Sequence, residues 1–455
     1  MKRLYEKPVF MEQTIGSVNK FHNGYHERMA TEIDGVPVKD IIEKYGSPVF
    51  VFSERKLRET AKNYMKAFKT SYPKVVFGWS YKTNYLGAIC TILHEEGCLA
   101  EVVSQLEYEK AKQLGVPGNK IIFNGPNKNT ETLEMAVLDG AIINIDNLDE
   151  IYKLEEIASK LNKKVDVGIR LNLDAGVYPL WSRFGFNYES TQAYSAAKRI
   201  HKSERLNLVG LHCHIGTFIL TVRAYQIQVE KLLYFAGILK QEMNINVDYI
   251  NVGGGFPSKN KLKGVYLPPE YAIPPIEDFA KAIGDMMLEK TSPDNLPTLY
   301  VESGRAVVDE SGYLISTVTG SKRLASGRKA YVLDAGVNLL YTASWYDVPV
   351  RVGIDLEGPT EDVTLYGPLC MNIDVIRESV NLPSLSPGTP LVFNPVGAYC
   401  VTQWMQFIEY RPYVVLVSEK KTVEVIREKE CLEDFLNKER IPKRLQKNVE
   451  SIVTA

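Results

Sequence analysis

The sequence predicts an α/β protein that combines a (β/α)8 TIM barrel with a C-terminal all-β domain. Eight short apolar runs alternate with amphipathic stretches from Val75 to Glu302, which is the pattern of a repeated βα unit. After Glu302, strand patterns follow one another with turn residues between them, and helical patterns almost disappear. A doubly wound open sheet is the structural alternative for the first region, but eight units over this length favour a closed barrel.

Composition narrows the class of protein. The 455 residues exceed one ordinary domain, and 45% hydrophobic and 24% charged residues are typical of a globular chain. A formal net charge of -1 gives no general attraction to nucleic acid. The sequence shows no signal peptide and no membrane-spanning run, so we expect a cytoplasmic protein without a membrane partner. The six cysteines have no zinc-like spacing and are expected to be reduced.

Three regions are predicted in chain order. Residues 1–54 form an N-terminal segment that partly joins the β domain, because SPVFVFSE reads as a strand whose partners lie far away in sequence. Residues 55–305 form the barrel, and residues 306–455 form a domain like a β-sandwich or β-barrel. The eight predicted barrel strands are VVFGWSY, AEVVS, KIIFNG, AIINID, KVDVGIRLN, LVGLHCHIG, DYINVGGG and TLYVESG.

The carboxyl ends of barrel strands are where such folds place their active sites. The first strand ends at Lys82, and a lysine that follows an apolar run can have a lowered pKa and a neutral amine able to form an imine. The alternative is a surface lysine that begins a loop. The seventh strand ends in Gly253, Gly254 and Gly255, whose backbone N–H groups could approach a phosphate or merely form a tight turn.

Two further strand ends carry ionisable residues. His212 and His214 share one face of the sixth strand and could bind a metal, stack on a ring or fill the barrel. A metal is the weakest of these readings, because no third ligand lies at suitable spacing. Glu302 and Arg305 end the eighth strand, where the alternative is a buried ion pair. Together these residues are the parts of a site for pyridoxal 5'-phosphate.

Seven motifs carry a family resemblance. WSYKTN, AEVVSQLE, LHCHIGT, NVGGGFP, VESGRAVV, GPLCMNIDVI and VGAY occur in this order between Gly46 and Ser418. In these motifs the chain resembles the pyridoxal-phosphate-dependent decarboxylases of the diaminopimelate and ornithine decarboxylase family, which have an alanine-racemase-like barrel of fold type III. The resemblance implies pyridoxal 5'-phosphate as cofactor, an amino acid as substrate and a homodimer with shared active sites.

The resemblance also implies roles for individual residues. Lys82 would hold the cofactor as a Schiff base, His214 would stack on its ring, and Glu302 would pair with the pyridine nitrogen. Cys370 of the partner subunit would donate the proton. The phosphate ligands would be Thr217, Gly253, Gly254, Gly255 and Tyr399, with Arg305 near both phosphate and substrate.

The carboxylate of Glu302 favours decarboxylation over racemisation. A protonated pyridine nitrogen makes the cofactor a strong electron sink for the carbanion left by carbon dioxide. Racemases of this fold pair the same nitrogen with arginine. The presence of Lys82 and Cys370 argues against the other alternative, a pyridoxal-phosphate-binding protein without catalysis.

The residues expected at the far end of the substrate depart from the family pattern. Met371 replaces the glutamate of diaminopimelate decarboxylases and the aspartate of ornithine-type enzymes, and Thr342 replaces the arginine. Glu101 and Gln105-Leu106 also depart from the second-strand motif. We therefore expect a less polar or conjugated amino acid as substrate. Meso-diaminopimelate decarboxylation with a rearranged distal site, in which Arg351 could substitute, is the alternative. The expected substrate contacts are Arg305, Met371, Asp374, Thr342 and Tyr346.

Overall fold

The computed structural model describes residues 29–446, except residues 178, 266 and 357. The outer parts of the predicted N-terminal segment and C-terminal domain, residues 1–28 and 447–455, lie outside the described residues. The described residues confirm the predicted architecture: an eight-stranded parallel barrel is followed by a separate sheet domain.

The described chain contains twenty strands and twelve α-helices. The strands are β1 (Glu32–Ile33), β2 (Val36–Pro37), β3 (Val49–Ser53), β4 (Val75–Ser80), β5 (Leu99–Val102), β6 (Ile121–Phe123), β7 (Ile142–Ile145), β8 (Val165–Asn172), β9 (Phe186–Asn187), β10 (Leu206–Cys213), β11 (Tyr249–Asn251), β12 (Thr298–Ser303), β13 (Gly312–Arg323), β14 (Lys329–Leu333), β15 (Val350–Val352), β16 (Thr360–Tyr366), β17 (Val375–Pro383), β18 (Pro390–Phe393), β19 (Val414–Val417) and β20 (Val423–Arg427). The helices are α1 (Val38–Tyr45), α2 (Glu54–Ser71), α3 (Gly87–Glu95), α4 (Gln105–Gln113), α5 (Thr130–Asp139), α6 (Leu148–Lys160), α7 (Gln192–His201), α8 (Val222–Met243), α9 (Pro269–Ala272), α10 (Ile276–Lys290), α11 (Arg305–Val308) and α12 (Leu432–Leu436).

The barrel is closed by parallel pairing all the way round. Its strands are β4, β5, β6, β7, β8, β10, β11 and β12, and the pairing of β12 with β4 and of β8 with β10 completes the ring. Strand β6 is buried along its whole length, as expected for a strand that lies between a filled barrel and a layer of helices. The eight predicted apolar runs are these eight strands, so the open-sheet alternative is excluded.

Helix α2 shows how the sequence builds the helical layer. The Ser53 hydroxyl oxygen accepts the N–H of Lys56 at 3.0 Å and caps the helix start. Its buried residues recur at helical spacing and face the barrel, which places its charged residues outside. They are Leu57, Ala61, Tyr64, Met65, Ala67 and Phe68.

The second domain is a sheet whose order is β17-β16-β14-β13-β3-β19-β20, with β18 beside β13 and β15 beside β18. Strand β3 pairs antiparallel with β13 and parallel with β19, as predicted for the early SPVFVFSE segment. Strand β17 was not predicted, because its burial does not alternate regularly. None of the helices within the described ranges has both the length and the apolar character needed to cross a bilayer.

Loops of the sheet domain close over the mouth of the barrel. The N–H of Tyr399 donates to the Thr83 carbonyl oxygen at 2.8 Å, and the Thr402 hydroxyl donates to the Lys82 carbonyl oxygen at 2.9 Å. The Asn84 amide donates to the Gly397 carbonyl oxygen at 3.2 Å. These bonds fix the turn after β4, which carries the predicted cofactor lysine, against the second domain.

Candidate active site

A cavity of about 500 Å³ lies at the barrel mouth, where the strands end. It brings together residues predicted from six separate segments of the chain. Those that line it are Lys82, His214, Thr217, Gly254, Gly255, Glu302, Arg305, Tyr346 and Tyr399. Gly253 directly precedes Gly254 in the chain, and its carbonyl oxygen accepts the backbone N–H of Glu302 at 2.8 Å. The predicted convergence at one barrel mouth is therefore present in the structure.

Lys82 forms an ion pair inside this cavity. Its Nζ lies 2.5 Å from Glu101 Oε2 and 3.3 Å from Ser80 Oγ, and 37% of the side chain remains exposed. Burial lowers the pKa of Lys82, but the charges of Glu101, Tyr399 and Glu302, together with the Glu101 hydrogen bond, outweigh burial and the pKa is raised. This direction is opposite to the lowering that the apolar run around Lys82 suggested, because the neighbouring strand supplies a counter-ion that the run does not reveal.

Glu302 is buried and held by three polar side chains. Its Oε1 accepts from Asn124 Nδ2 at 2.8 Å and from Asn251 Nδ2 at 2.6 Å, and its Oε2 lies 3.4 Å from His212 Nε2. Burial raises the pKa of Glu302, but His212, Lys82 and Asn251 together outweigh it and lower the pKa to about 2. The carboxylate is therefore ionised at neutral pH.

His214 is neutral and fixed by the glycine turn. Its Nδ1 accepts the Gly254 N–H at 3.0 Å, and burial, followed by the charges of Arg170 and Lys82, lowers its pKa well below the usual value. Gly253 has a φ of +66°, and a Cβ on Gly254 would lie 2.2 Å from the Glu302 carbonyl oxygen. Only glycine fits this turn, as its position at a strand end suggested.

Arg305 is a buried cation surrounded by aromatic rings. Its guanidinium carbon lies 4.7 Å from the ring centre of Tyr346 and 5.0 Å from that of Tyr399. Nη1 lies 3.3 Å from Asp309 Oδ2, so the pair predicted as an alternative for Glu302 and Arg305 is not formed. Nε has no hydrogen-bond partner among the described residues. A buried donor in this position is suited to an anionic ligand such as a phosphate.

Besides Gly253, four predicted residues do not line the cavity of their own chain. Cys370 is exposed and Met371 partly exposed, on the loop between β16 and β17. Asp374 is buried, and its two carboxylate oxygens accept the N–H groups of Val337 and Leu369 at 2.8 Å each. Thr342 is also buried, 3.2 Å from Cys400 Sγ.

Within their own chain Asp374 and Thr342 do not reach the cavity, so a direct contact of either residue with the substrate stays a prediction. Both side chains hold loops together inside the domain, because their polar atoms are satisfied there and their side chains are shielded from the cavity. Arg351, the possible substitute for the missing family arginine, lies on β15 and is likewise outside the cavity lining.

Sequence reasoning missed other residues of the site. Asn124 and Asn251 both contact Glu302, and the rings of Trp181 and Phe184 form part of the wall. The asparagines come at the carboxyl ends of β6 and β11, so the position rule used for Lys82 and Glu302 could have identified them. The aromatic residues lie on the long loop after β8, which has no strand or helix pattern to place it.

The chemistry of these groups fits pyridoxal 5'-phosphate. Lys82 offers an amine, Glu302 an ionised carboxylate for the pyridine nitrogen, and His214 a neutral ring. The glycine turn and the Arg305 donor would hold the phosphate. Across the part of the chain that the structure describes, no cluster of three or more histidine, cysteine or acidic side chains could hold a metal ion.

Comparison with known proteins leads to the same family. Residues 57–309 match the family model "Pyridoxal-dependent decarboxylase, pyridoxal binding domain", and residues 305–397 match its C-terminal sheet domain. The diaminopimelate decarboxylase of Methanocaldococcus jannaschii is 31% identical over 428 residues, which cover 91% of this chain and 95% of the relative. That of Bacillus subtilis is 28% identical, covering 89% of this chain and 94% of the relative.

Solved structures agree with the sequence matches. The M. jannaschii diaminopimelate decarboxylase superimposes with a TM-score of 0.83 at 30% identity, covering 91% of this chain and 96% of that one. The Helicobacter pylori enzyme complexed with L-lysine gives a TM-score of 0.77 at 25% identity, with 88% and 98% covered. The chain therefore belongs to the pyridoxal-dependent decarboxylases of fold type III and is a carboxy-lyase that acts on an amino acid with pyridoxal 5'-phosphate as cofactor.

Proposed function

We propose that the substrate is an amino acid whose side chain lacks the second charged head of meso-diaminopimelate. The observation that carries this proposal is the pairing of charges around the cavity. Among the described residues that line it, every acidic and basic one, histidine aside, has an oppositely charged partner or a histidine beside it. The pairs are Lys82–Glu101, Glu302–His212, Arg170–Asp146 and Arg305–Asp309.

The rest of the cavity wall is largely apolar. Trp181 and Phe184 contact each other with ring centres 5.6 Å apart, and Trp345 lies on the segment after β14. A charged substrate head placed against these rings without a partner would cost several kcal/mol. Met371 and Thr342, at the positions of the family's charged ligands, bring no charge either. An uncharged or conjugated side chain suits this wall better.

Lys82, Glu302 and His214 would have different roles in the reaction. Pyridoxal 5'-phosphate, when bound, accepts the electron pair released from the substrate carboxylate. We assign Lys82 to covalent attachment of the cofactor and Glu302 to holding the proton on the pyridine nitrogen. Neutral His214 would lie against the ring, since a charged imidazolium there would oppose the charge of that nitrogen. The apolar part of the cavity wall would limit access of water to the reacting carbon.

We further propose that two copies of the chain share their active sites. Cys370 is exposed and does not line its own cavity, and Ile373 beside it is 66% exposed. A thiol that protonates the substrate carbon must reach a cavity, so we assign the proton to Cys370 of the partner subunit. The loop that carries it would then be covered in the dimer.

A substrate screen tests the proposed specificity. Purified enzyme with pyridoxal 5'-phosphate is incubated with amino acids of both configurations at Cα, and amines are detected by mass spectrometry. We expect at least about tenfold higher kcat/KM for an amino acid without a distal charge than for meso-diaminopimelate, because tenfold corresponds to only ~1.4 kcal/mol. Lys82→Ala is the inactive control.

Efficient release of carbon dioxide from meso-diaminopimelate would instead support the alternative function, the last step of lysine formation. The names of the relatives favour this alternative. A Met371→Glu variant separates the two further. Under our proposal it lowers turnover of the uncharged substrate, because it places an acid near the substrate's far end. Under the alternative it leaves or improves turnover of meso-diaminopimelate.

A further inference from the structure

We infer that Asn124 is a positioning residue that holds both buried carboxylates of the site in their ionised form at the same time. Asn124 is buried directly after β6. Its Nδ2 donates to Glu101 Oε1 at 3.0 Å and to Glu302 Oε1 at 2.8 Å. An amide nitrogen has two hydrogens, and here each one goes to a different carboxylate. The inference rests on cofactor binding and not on the substrate proposed above.

The orientation of this amide is fixed by its neighbours. Asn124 Oδ1 accepts from Asn144 Nδ2 at 2.8 Å, and Asn144 Oδ1 accepts from the Tyr249 hydroxyl at 2.8 Å. A flipped Asn124 would direct its carbonyl oxygen at two anions and lose the Asn144 bond. The chain of bonds therefore keeps the nitrogen of Asn124 facing both acids.

The two carboxylates would have separate tasks when the cofactor is bound. Glu101 pairs with the Lys82 amine, and Glu302 is the group suited to the pyridine nitrogen. Two acids in one buried site tend to share a proton, because each charge disfavours the other. Asn124 donates to both, so it stabilises the doubly ionised state. Asn251, in contrast, donates to Glu302 alone and also accepts the Gly253 N–H at 2.9 Å.

Asn124 makes no hydrogen bond to the Lys82 amine in the structure, and both hydrogens of its amide go to Glu101 and Glu302. Its effect on the reaction would therefore pass through Glu101 and Glu302. This predicts a change in the protonation of the bound cofactor that appears without substrate. A residue with a purely structural role would change stability and leave that protonation alone.

The test is the pH dependence of the visible absorbance of the cofactor-loaded, substrate-free enzyme. The variants are Asn124→Ala, which removes both donors, and Asn124→Asp, which keeps the shape and adds a third acid. For each of these two variants, we expect the pH at the midpoint of the absorbance change to shift by at least about one unit relative to wild type. The reason is that the two carboxylates then share a proton. We expect Asn124→Gln, which retains the amide, to stay nearer to wild type.

Asn207→Asp is a matched control, because Asn207 lies on β10 and its amide donates to Asp166 outside the site. We expect it to leave the absorbance unchanged. If Asn124→Ala loses its fold, as seen by circular dichroism, Asn124→Asp decides the question. An Asn124→Asp enzyme that folds and keeps the wild-type pH dependence of the visible absorbance would overturn the inference. Because no substrate is present, the result does not depend on whether the proposed specificity holds.

Discussion

The ion pair between Lys82 and Glu101 sets the resting charge of the amine. With its pKa raised, Lys82 is a cation at neutral pH and must lose a proton before it can attack an aldehyde carbon. Glu101 Oε2 lies 2.5 Å away and is the nearest acceptor for that proton. The family position of Glu101 is thus occupied by an acid that is long enough to reach the amine directly.

Replacing Lys82 should separate covalent attachment from charge pairing. Lys82→Ala removes both, whereas Lys82→Arg keeps a cation beside Glu101 and cannot bind the cofactor covalently. We expect neither variant to become labelled when the loaded protein is reduced with borohydride, and Lys82→Arg to fold more stably than Lys82→Ala, because it leaves no unpaired acid. Mass spectrometry and thermal unfolding measure the two effects. Labelling of Lys82→Arg would place the attachment elsewhere.

Glu302→Gln should impair the chemical step more than binding of the cofactor. The amide cannot hold a proton on the pyridine nitrogen, yet it has the size of the carboxylate. We expect kcat to fall by roughly a hundredfold or more, as for loss of one strong electrostatic contact, while the cofactor still binds. Single-turnover kinetics and cofactor titration check this. An unchanged kcat would show that Glu302 has no part in the electron sink.

The site residues were predictable where their position and type were both unusual. Lys82, the glycine turn and Glu302 each end a barrel strand, so the fold prediction brought them together. The direction of the Lys82 pKa was not predictable in this way, because it depends on Glu101 across the next strand. The buried bonds of Asp374 were hidden for the same reason: its partner N–H groups come from loops whose course the sequence pattern does not give.

The glycine turn after β11 is the element most sensitive to a single methyl group. Gly254→Ala would place its Cβ 2.2 Å from the Glu302 carbonyl oxygen, so the turn and β12 must separate. We expect about 1–3 kcal/mol lower stability and weaker cofactor binding. Gly237→Ala is the control, because Gly237 lies within α8 and nothing stands within 4 Å of its added Cβ. That variant should gain about 0.5–1 kcal/mol in urea unfolding.

Glu107, near the start of helix α4, should make the free energy of unfolding depend on pH. Glu107 is buried, and its carboxylate accepts the Val103 N–H at 2.8 Å. Burial raises its pKa from 4.5 to about 7, so the folded state holds a proton that the unfolded chain releases. The free energy of unfolding should therefore decline as pH rises from about 4.5 to about 7, by an amount on the order of 2–3 kcal/mol.

Glu107→Gln should remove this decline and still accept the backbone N–H. Glu109→Gln is the matched control, because Glu109 is exposed on the same helix and bonds only Gln105 in the structure. Urea unfolding at several pH values compares the three proteins. The assignment fails if Glu107→Gln keeps the wild-type pH dependence.

Elements with regular patterns were predicted, and irregular ones were not. All eight barrel strands carry near-continuous apolar runs, since both of their faces are covered. Strand β17 was not predicted, because it mixes buried and exposed residues without alternation. The location of Trp181 and Phe184 in the cavity wall was not predicted either. Aromatic residues in a loop can contact many surfaces, and the sequence pattern does not show which one.

Assembly at the level of the whole molecule can be tested by mixing inactive chains. If Cys370 acts in the partner's cavity, a dimer of Lys82→Ala and Cys370→Ala chains contains one intact site. Random exchange of subunits should then restore about a quarter of the wild-type activity. Lys82→Ala mixed with Glu302→Gln is the control, because both changes affect the same barrel and no intact site can form. No recovery in the first mixture would contradict shared sites.

Strand β3 also has a consequence for how the protein is made. It is synthesised before the barrel, but its neighbours β13 and β19 begin only at Gly312 and Val414. Until the ribosome has passed both, the sequence VFVFS leaves two apolar strand edges without partners in a nascent chain. Fragments that stop after the barrel should aggregate through this strand, so an isolated barrel for laboratory use should begin at Ser53, which keeps the cap of α2.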